Sequence, residues 1–580
     1  MRKTAFAISA CLMAACSQQQ DSSIDKTAGD GATLYPAQTV LTLEEASPAT
    51  KAVLVRDGLI EAVGDRAELA RLFPAAKVDE TFTEQVIAPG FIDPHIHMAL
   101  SSLQYATPLT PPWPMATHEG MQRGLPNRDA FFTRLKEHVT DHDGQSPLIV
   151  YGFHDLVHGD LTRSDLDSVT TEFPLIIWHY SSHDFYLNSA ALEWANITPE
   201  LHNTYEGVAI DESGELTGRV FEDALPVLMH SISPILLHPD RLETGLQRFS
   251  DLLNKGGVTT VADLGYGIFT LPLENANISR NWRSMEHSGY RLYLVPEHRA
   301  FSAVFKENAP QVARDLADGK SSAPAPVLPQ VKFFTDGAFY SQTMRVSPPG
   351  YLSGQSQGTE GLWVTPPEDL ANTIRPYWEK GLSVRIHSNG DAAQTATLSA
   401  LEVLRAMDPD LDFVIEHAGL FSPEQVVKAG ALNAAISAAS HYVFYLGDLY
   451  QGPLGDPRGG WITPLNSLSQ AGVPVTLHSD APLAPPLPLR AASVHMTRAT
   501  RSGGALTTSE ALSSQDALEA ITIDAARALG LEDEIGSIAP GKRADFTILG
   551  ANPLETEASQ WPSIPVWGVV LDGELRQAPE

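Results

Sequence analysis

Cysteine is scarce in this sequence: Cys11 and Cys16 are the only two among 580 residues. Both lie close to the N-terminus, so the rest of the chain has no disulfide available to it. A protein that is exported without disulfides needs a large apolar core, or a bound metal, to stay folded.

Basic residues are also few. The chain has 39 lysines and arginines against 70 aspartates and glutamates, which gives a formal net charge of −31. This excess of negative charge argues against a nucleic-acid partner and against binding an anionic membrane through a basic face. An apolar content of 43% is typical of a globular protein, so we expect a solvated acidic surface around a folded core.

Long apolar runs are absent beyond the N-terminus. Arg2 and Lys3 precede the stretch "TAFAISACLMAAC", which is too short to span a bilayer but is typical of a secretory signal. Its end, "LMAAC", resembles a bacterial lipoprotein box with Cys16 as the lipidated first residue of the mature chain. Ordinary cleavage after "MAA" is the alternative, and both interpretations predict export.

The predicted segments at this end are a signal peptide at residues 1–15 and a polar tether at residues 16–32. The tether has the composition of a flexible linker. With Cys16 acylated, we expect the protein to be lipid-anchored in the bacterial cell envelope, at the outer membrane or in the periplasm.

Short apolar runs alternate with helical patterns over most of the chain, and each run ends in a polar or glycine-containing loop. Eight such strand–helix units predict an α/β fold, a (β/α)8 TIM barrel. The predicted strands are the run before His95 and the segments at residues 257–265, 291–298, 327–337, 382–390, 412–419, 433–440 and 473–481.

The two flanks of the chain have a different pattern. Residues 33–85 and 536–580 contain short strands around "DG" turns and no long helix, and we expect them to pair as one small β-sandwich beside the barrel. The barrel is predicted over residues 86–535. Residues 100–250 are predicted to be an α/β insertion after the first barrel strand, placed where it can form a lid.

Polar side chains recur on the predicted barrel strands, mostly at their carboxyl ends. His95 and His97 are two residues apart, so on a strand they share one face. The other such residues are Lys332, His387, His417 and Asp480. Barrel active sites occupy this end, and buried charges on apolar strands are costly unless they are paired or bind a metal. The pattern therefore predicts a metal site.

Several stretches together resemble the amidohydrolase superfamily, and most closely its branch that includes N-substituted formamide deformylase. The matching stretches are "APGFIDPHIH", "VKFFTDG", "HSNGDAA", "IEHAG", "NSLSQAGVPVTLHSDAP", "ALEAITIDAARALG" and "GSIAPGKRADFTIL". The resemblance implies a metal-dependent hydrolase with a flanking β-sandwich made from both ends of the chain.

The resemblance also implies roles for single residues. His95 and His97 would bind one metal ion together with Asp480, and His387 and His417 would bind a second. Lys332 matches a position where many members carry a carbamylated lysine that bridges both metals. Zinc accepts this mixture of nitrogen and oxygen ligands, and whether one ion or two is bound stays open. Asp480 and Lys332 are the expected catalytic residues, with Asp480 as the proton shuttle.

This chain departs from the family pattern at His478, where glycine is usual. We expect the His478 side chain to point outward with a structural role, and a side chain that faces the pocket is the alternative. Within "SSHDFYLNSAAL", His183 is a candidate for substrate contact, with a hydrogen-bonded surface histidine as the alternative. His154, His179 and His441 are weaker candidates for the cleft.

The predicted function is hydrolysis of a C–N bond of the amide or formamide type in a small molecule. Aromatic residues in the insertion, as in "WHYSSHDFY", favour an apolar or aromatic N-acyl substrate. Cleavage of a lactone, ester or cyclic imide, or deamination of a ring, would use the same ligands. A non-catalytic binding lipoprotein on this scaffold is the alternative outside the enzymes. The sequence leaves the oligomeric state open.

Overall fold

The computed structural model describes residues 27, 29–285, 289–354 and 356–577. The predicted signal peptide and the lipidation site, with Cys11 and Cys16, lie outside the described residues. None of the helices in these ranges combines the length and the apolar character needed to cross a membrane.

The strands and helices follow in chain order. The strands are β1 Thr33–Leu41, β2 Ala49–Arg56, β3 Leu59–Gly64, β4 Lys77–Val78, β5 Val86–Pro89, β6 Phe91–Ile96, β7 Met115–Thr117, β8 Gly120–Gln122, β9 Leu148–Phe153, β10 Leu175–His179, β11 Asp184–Leu187, β12 Val208–Ile210, β13 Leu216–Phe221, β14 Val258–Tyr266, β15 Arg291–Pro296, β16 Gln330–Phe334, β17 Ser383–Ser388, β18 Phe413–His417, β19 Ala435–Ala439, β20 Val475–His478, β21 Phe546–Leu549, β22 Val566–Leu571 and β23 Glu574–Gln577. The α-helices are α1 Arg66–Leu72, α2 Met98–Tyr105, α3 Arg128–Asp141, α4 Asp155–His158, α5 Arg163–Asp167, α6 Ser189–Trp194, α7 Leu225–Leu236, α8 Pro239–Lys255, α9 Leu271–Met285, α10 His298–Phe305, α11 Ala309–Ala317, α12 Pro367–Trp378, α13 Asp391–Arg405, α14 Pro423–Ala431, α15 Gly447–Leu454, α16 Leu465–Gln470, α17 Pro488–Thr497, α18 Ser514–Glu519 and α19 Ile523–Leu529.

The two ends of the chain form one sheet in the order β23-β22-β21-β5-β1-β2-β3, with β4 paired to β1. Val53 and Val55 of β2 share an apolar cluster with Val570 of β22, so the sheet folds over a common core. Strands from both ends of the chain therefore form one continuous sheet with a common apolar core.

The boundary between this sheet and the barrel differs from the prediction. β5 pairs with β1 and β21, so residues 86–89 belong to the flanking sheet, and the first barrel strand, β6, begins at Phe91. Gly90 separates the two strands. A Cβ atom at Gly90 would lie 2.1 Å from Oγ1 of Thr259, so only glycine fits where the chain passes between the sheets.

The barrel strands are parallel, and each of the eight predicted segments overlaps one of them. They form two sheets, in the orders β15-β14-β6 and β16-β17-β18-β19-β20. Isolated bridges join these sheets, with Leu294 paired to Val327 on one side and Ile96 to Ala481 on the other. The fold is thus TIM-barrel-like, although continuous hydrogen-bonded ladders do not close the ring within the described ranges.

The helices between the barrel strands pack an apolar face on the sheet. In α13, Ala393, Leu398, Leu401 and Leu404 are buried, while Thr395, Ser399 and Glu402 on the opposite face are exposed. This packing holds the carboxyl ends of the strands in fixed positions, which is where the polar side chains lie.

The segment between β6 and α8 carries its own sheet, in the order β12-β13-β11-β10-β9. Tyr180, just after β10, donates a hydrogen bond from its hydroxyl to the carbonyl of Leu483 at 2.5 Å and accepts one from Trp113 Nε1 at 3.1 Å. The segment is therefore tied to the loop that follows Asp480.

Candidate active site

His95 and His97 lie at the carboxyl end of β6 and converge on one carboxylate. His97 Nε2 is 3.2 Å from Oδ1 of Asp480, and His95 Nε2 is 3.5 Å from the same oxygen. His95 and Asp480 are buried, and His97 is partly exposed. Two imidazole nitrogens and one carboxylate oxygen are thus brought together, as the spacing of the two histidines predicts.

The orientation of His95 is set by Glu416. His95 Nδ1 donates to Oε2 of Glu416 over 2.8 Å, which leaves the lone pair of Nε2 directed toward Asp480. Glu416 also accepts a hydrogen bond from Nε of Arg385, and all three side chains are buried. Burial opposes ionisation of Glu416, but the charges of Arg385, Lys332 and His478, with the hydrogen bond from Arg385, together hold the Glu416 pKa below its ordinary value.

Asp480 follows β20 with a φ of 55°, so its backbone turns away from the regular strand path. Its amide donates to the carbonyl of His95 at 3.0 Å, which ties the end of β20 to the end of β6. Burial opposes ionisation, yet His95 and His97 hold the Asp480 pKa well below its usual range. Asp480 is therefore ionised at neutral pH.

His417 ends β18 beside the same carboxylate. Its Nδ1 is 3.7 Å from Oδ2 of Asp480 and 3.2 Å from Nε2 of His478. Burial lowers the His417 pKa well below the ordinary value, and neighbouring His387 adds to this effect. The ring is therefore neutral at neutral pH, as a metal ligand must be.

The prediction for His478 is wrong: its side chain points into the site and is buried. The ring centroid lies 4.6 Å from that of His95, and Nδ1 contacts the hydroxyl of Ser437 at 2.7 Å. His478 and Asp480 are two residues apart, so strand alternation by itself places both side chains on one face without a bulge. Both side chains consequently reach the same space.

His387 lies on the other side of His417, with ring centroids 4.6 Å apart. Its Nε2 donates to the carbonyl of Gly337 at 3.0 Å, so Nδ1 carries the lone pair. Burial lowers the His387 pKa to about 3, and the charge of Lys332 contributes. His387 is thus a neutral imidazole at the edge of the cluster.

Lys332 lies within β16 and is buried. Within the described part of the chain its Nζ has no hydrogen-bond partner, and it lies 5.3 Å from the ring centroid of Phe334. Burial lowers the Lys332 pKa to about 8, although the negative charges of Glu416 and Asp480 act to raise it. A neutral amine is the form that reacts with carbon dioxide to give a carbamate.

The donor set fits a divalent metal ion. Two groups at this site have ligand atoms within 4.8 Å of one another, namely His95, His97 and Asp480, and His95, His417 and His478. Among the described residues, His95 Nε2 and Asp480 Oδ1 are buried without a hydrogen-bond partner, which is costly unless a cation satisfies them. Imidazole nitrogen with carboxylate oxygen is a ligand combination that suits zinc.

Comparison with known proteins agrees with this geometry. The model of the amidohydrolase family matches residues 83–576 of the chain. The chain belongs to this family. A second model, for a bacterial imidazolonepropionase-like composite domain, matches residues 52–76.

Relatives of this amidohydrolase match over nearly their full lengths. N-substituted formamide deformylase of Arthrobacter pascens is 25% identical over 551 residues, which are 93% of this chain and 96% of that protein. LONG AFTER FAR-RED 3 of Arabidopsis thaliana is 28% identical over 89% of this chain and 86% of its own. The structure of a metal-dependent hydrolase from Pyrococcus horikoshii superposes with a TM-score of 0.68 at 21% identity, over 91% of this chain and 99% of that chain. That likeness supports the TIM-barrel-like α/β fold.

The other histidine candidates of this amidohydrolase occupy different places. His183 lines the pocket that also contains His97. His154 and His179 instead lie on either side of Asp155, with His179 Nε2 3.1 Å from Oδ1 of that carboxylate. His441 stacks on Tyr340 with ring centroids 5.2 Å apart.

Sequence reasoning missed Glu416 and Arg385, which contact the candidate site from within the barrel. Both are charged residues inside apolar strand runs, "DFVIEHAG" and "LSVRIHSNG". Charged residues are rarely buried unless they are paired. A glutamate and an arginine inside apolar runs on neighbouring strands therefore indicate a buried ion pair, and this signal is present in the sequence.

Proposed function

We propose that this amidohydrolase is an exported, lipid-anchored, metal-dependent enzyme that hydrolyses a C–N bond of the amide or formamide type in a small molecule. The convergence of His95 Nε2, His97 Nε2 and Asp480 Oδ1 in a buried site carries the proposal. The match to N-substituted formamide deformylase over 96% of that protein supports the choice of bond.

The residues that would hold a first metal ion are His95, His97 and Asp480. His417, His387 and Lys332 would hold a second, and the buried His478 is placed to share in the cluster with His417. When bound, a divalent ion such as Zn²⁺ lowers the pKa of water and polarises a carbonyl oxygen.

Asp480 is the proposed proton shuttle. Its carboxylate can accept a proton as water attacks the carbonyl carbon, and the same group can then deliver that proton to the leaving nitrogen. An amine leaves poorly unless it is protonated, so the second transfer matters for C–N cleavage. Glu416 keeps the His95 ring fixed during both steps through its 2.8 Å contact to Nδ1.

Lys332 is the proposed site of a carbamate that supplies oxygen ligands to both ions. Its burial and unpartnered Nζ support this role, because a free ammonium there would repel cations. Lys332→Ala should lose activity, and added short carboxylic acids should restore part of it by supplying the missing oxygen ligands. Electron density for an unmodified lysine distant from any metal would remove this role.

The hydrolase proposal is tested with the metal-loaded full chain against N-acyl compounds, formamides, lactones and hydantoins. Amide or formamide cleavage is expected, and the His95→Ala, His97→Ala double variant should lose metal and activity together. The exposed pair His230 and His238 provides the matched control, since replacing both with alanine should change neither. Metal content that is unchanged by elemental analysis in the first double variant would refute the site.

A further inference from the structure

A second pocket, here called the His441 pocket, shares no lining residue with the one that contains His97. Its volume is about 20 Å³. Ala484 and Pro485 line it, so the loop that follows Asp480 connects it with the candidate metal centre. One water needs ~10–15 Å³ of such space, so the pocket admits a molecule little larger than water.

His441 lines this pocket with both of its ring nitrogens unpaired. The residue is 1% exposed, and neither Nδ1 nor Nε2 forms a hydrogen bond with another described residue. Burial lowers the His441 pKa to about 4, although Asp480 and the backbone of Ser479 act to raise it. A neutral imidazole still has one N–H to donate, and leaving that group buried and unpaired is costly. The pocket is therefore the place for a hydrogen-bond acceptor.

Arg490 brings a positive charge to the same pocket. Its guanidinium lies 5.1 Å from the ring centroid of Phe444, and it forms no ion pair with any of the described residues. Burial raises the pKa of Tyr445, which also lines the pocket, and the charges of Arg490 and Arg501 act to lower it. In a chain with a net charge of −31, an arginine without a counter-ion at a pocket provides a local attraction for an anion.

Helix α17 begins at the His441 pocket. Leu487, which precedes the helix, and Arg490 and Ala491 of its first turn are among the lining residues, and no side chain caps this end of the helix. The positive end of a helix dipole favours a negative charge nearby. Here it adds to the guanidinium of Arg490 and to the N–H of His441, so three independent features favour an anion in the same small space.

We infer that the His441 pocket binds a small carboxylate, of the size of formate, that the hydrolysis releases. Water adds its hydroxyl group to the carbonyl carbon and its other hydrogen to the nitrogen as the C–N bond breaks, and the acid then gives its proton to the amine. The carboxylate oxygens accept hydrogen bonds from Arg490 and His441. The inference rests on the proposed function for the source of the anion, and it adds a product site that is separate from the metal centre.

Binding is measured by NMR titration of isotope-labelled formate with the metal-loaded full chain. Arg490→Gln removes the charge and should weaken formate binding by roughly tenfold or more. Arg375→Gln is the matched control, since Arg375 is an exposed arginine of α12 that does not line the pocket, and it should bind formate as the wild type does. If Arg490→Gln does not fold by circular dichroism, Ala491→Leu takes its place. That variant fills the pocket without changing a charge and should weaken formate to a similar extent.

A carboxylate can also bind a metal ion directly, so the titration is repeated after the metal has been removed with a chelator. The binding that depends on Arg490 should persist in the metal-free chain. Acetate and inorganic phosphate are larger than formate and should bind roughly tenfold more weakly, because the pocket has little space beyond that of one water. Formate binding that disappears with the metal, or equal affinity for the three anions, would overturn the inference.

The outcomes separate the product site from the enzyme. Formate binding that depends on Arg490, without hydrolysis of any C–N bond, would support the site and refute the proposed function. Hydrolysis in a protein whose formate affinity is unchanged by Arg490→Gln and by Ala491→Leu would overturn the site and leave the function standing.

Discussion

His95 donates its Nδ1 hydrogen to Oε2 of Glu416 over 2.8 Å, and Glu416 is held in turn by Arg385. A carboxylate behind a metal-binding histidine fixes the ring and its tautomer. Glu416 therefore connects the framework of the barrel with the position of a candidate ligand, although it does not face the metal site itself.

Glu416→Gln should lower metal affinity by roughly 10–100-fold, since the amide cannot fix His95 as the carboxylate does. It also leaves Arg385 buried without its counter-ion, so the free energy of unfolding should fall by about 3–5 kcal/mol. Metal titration and urea unfolding measure the two effects.

Glu402→Gln is the control for this variant. Glu402 is exposed and pairs with Lys428 at 2.9 Å on the surface, where such a pair contributes little. Wild-type metal affinity in Glu416→Gln would show that His95 keeps its orientation without the carboxylate.

The position of His478 gives a second prediction. His478→Ala removes the partner of His417 Nδ1 and of the Ser437 hydroxyl and leaves a cavity in the barrel interior. The metal-free protein should lose roughly 2–4 kcal/mol of unfolding free energy. Ser437→Ala removes one of these contacts only and should cost about 1 kcal/mol. A His478→Ala protein as stable as the wild type by urea unfolding would contradict the buried position.

The barrel could be predicted from the sequence because its strands are apolar runs that end in loops, and both periodicity and loop residues are local properties. The ligand candidates followed from the same pattern, since parallel strands bring their carboxyl ends together. His95, His97, Asp480 and His417 do lie together, as their places on the strands predict.

Other features depend on contacts that strand periodicity does not encode. Glu416 belongs to the site because Arg385 lies on the neighbouring strand. Helix α7 lines the pocket beside His97 because the insertion packs on the barrel. The strands of the insertion form their own sheet, so their pairing does not fix where α7 lies relative to the barrel strands. The apolar run from Val86 to Ile92 predicts one barrel strand, but Gly90 divides it between a strand of the flanking sheet and the first barrel strand.

Glu274 predicts a pH dependence of stability. Its buried carboxylate accepts hydrogen bonds from the amides of Gly267 and Phe269 at 2.6 and 2.7 Å. Burial, with the nearby charge of Asp263, raises the Glu274 pKa from 4.5 to about 8. Between these values the unfolded chain is ionised and the folded protein stays protonated, so rising pH favours unfolding.

Glu274→Gln cannot ionise, so its stability should fall less than that of the wild type between pH 5 and pH 8. The difference between the two slopes should be on the order of 1–3 kcal/mol over this interval. Urea unfolding at both pH values gives the comparison, with the exposed Glu307→Gln as control. Equal slopes in the wild type and Glu274→Gln would mean that the carboxylate is ionised in the folded state.

Lipid anchoring depends on Cys16. In a bacterial host, Cys16→Ser should lose membrane association and appear in the soluble periplasmic fraction or in the medium, because the acylated thiol is gone. Cys11→Ser lies within the predicted signal and should leave fractionation unchanged. A Cys16→Ser protein that still sediments with membranes would exclude the lipoprotein prediction.

Asp480 is the proposed group that both accepts and delivers the proton. Asparagine nearly preserves its shape and keeps one oxygen for a metal, but it cannot take up a proton. Asp480→Asn should therefore retain most of its metal while kcat falls by roughly 10²–10⁴-fold, the usual contribution of general acid–base catalysis. Asp155→Asn is the matched control, since Asp155 also lies between two histidines, His154 and His179, but does not line the pocket beside His97. If Asp480 served only as a ligand, metal content and kcat would fall together in Asp480→Asn. Turnover close to wild type in the metal-loaded variant would assign the proton transfers to another group.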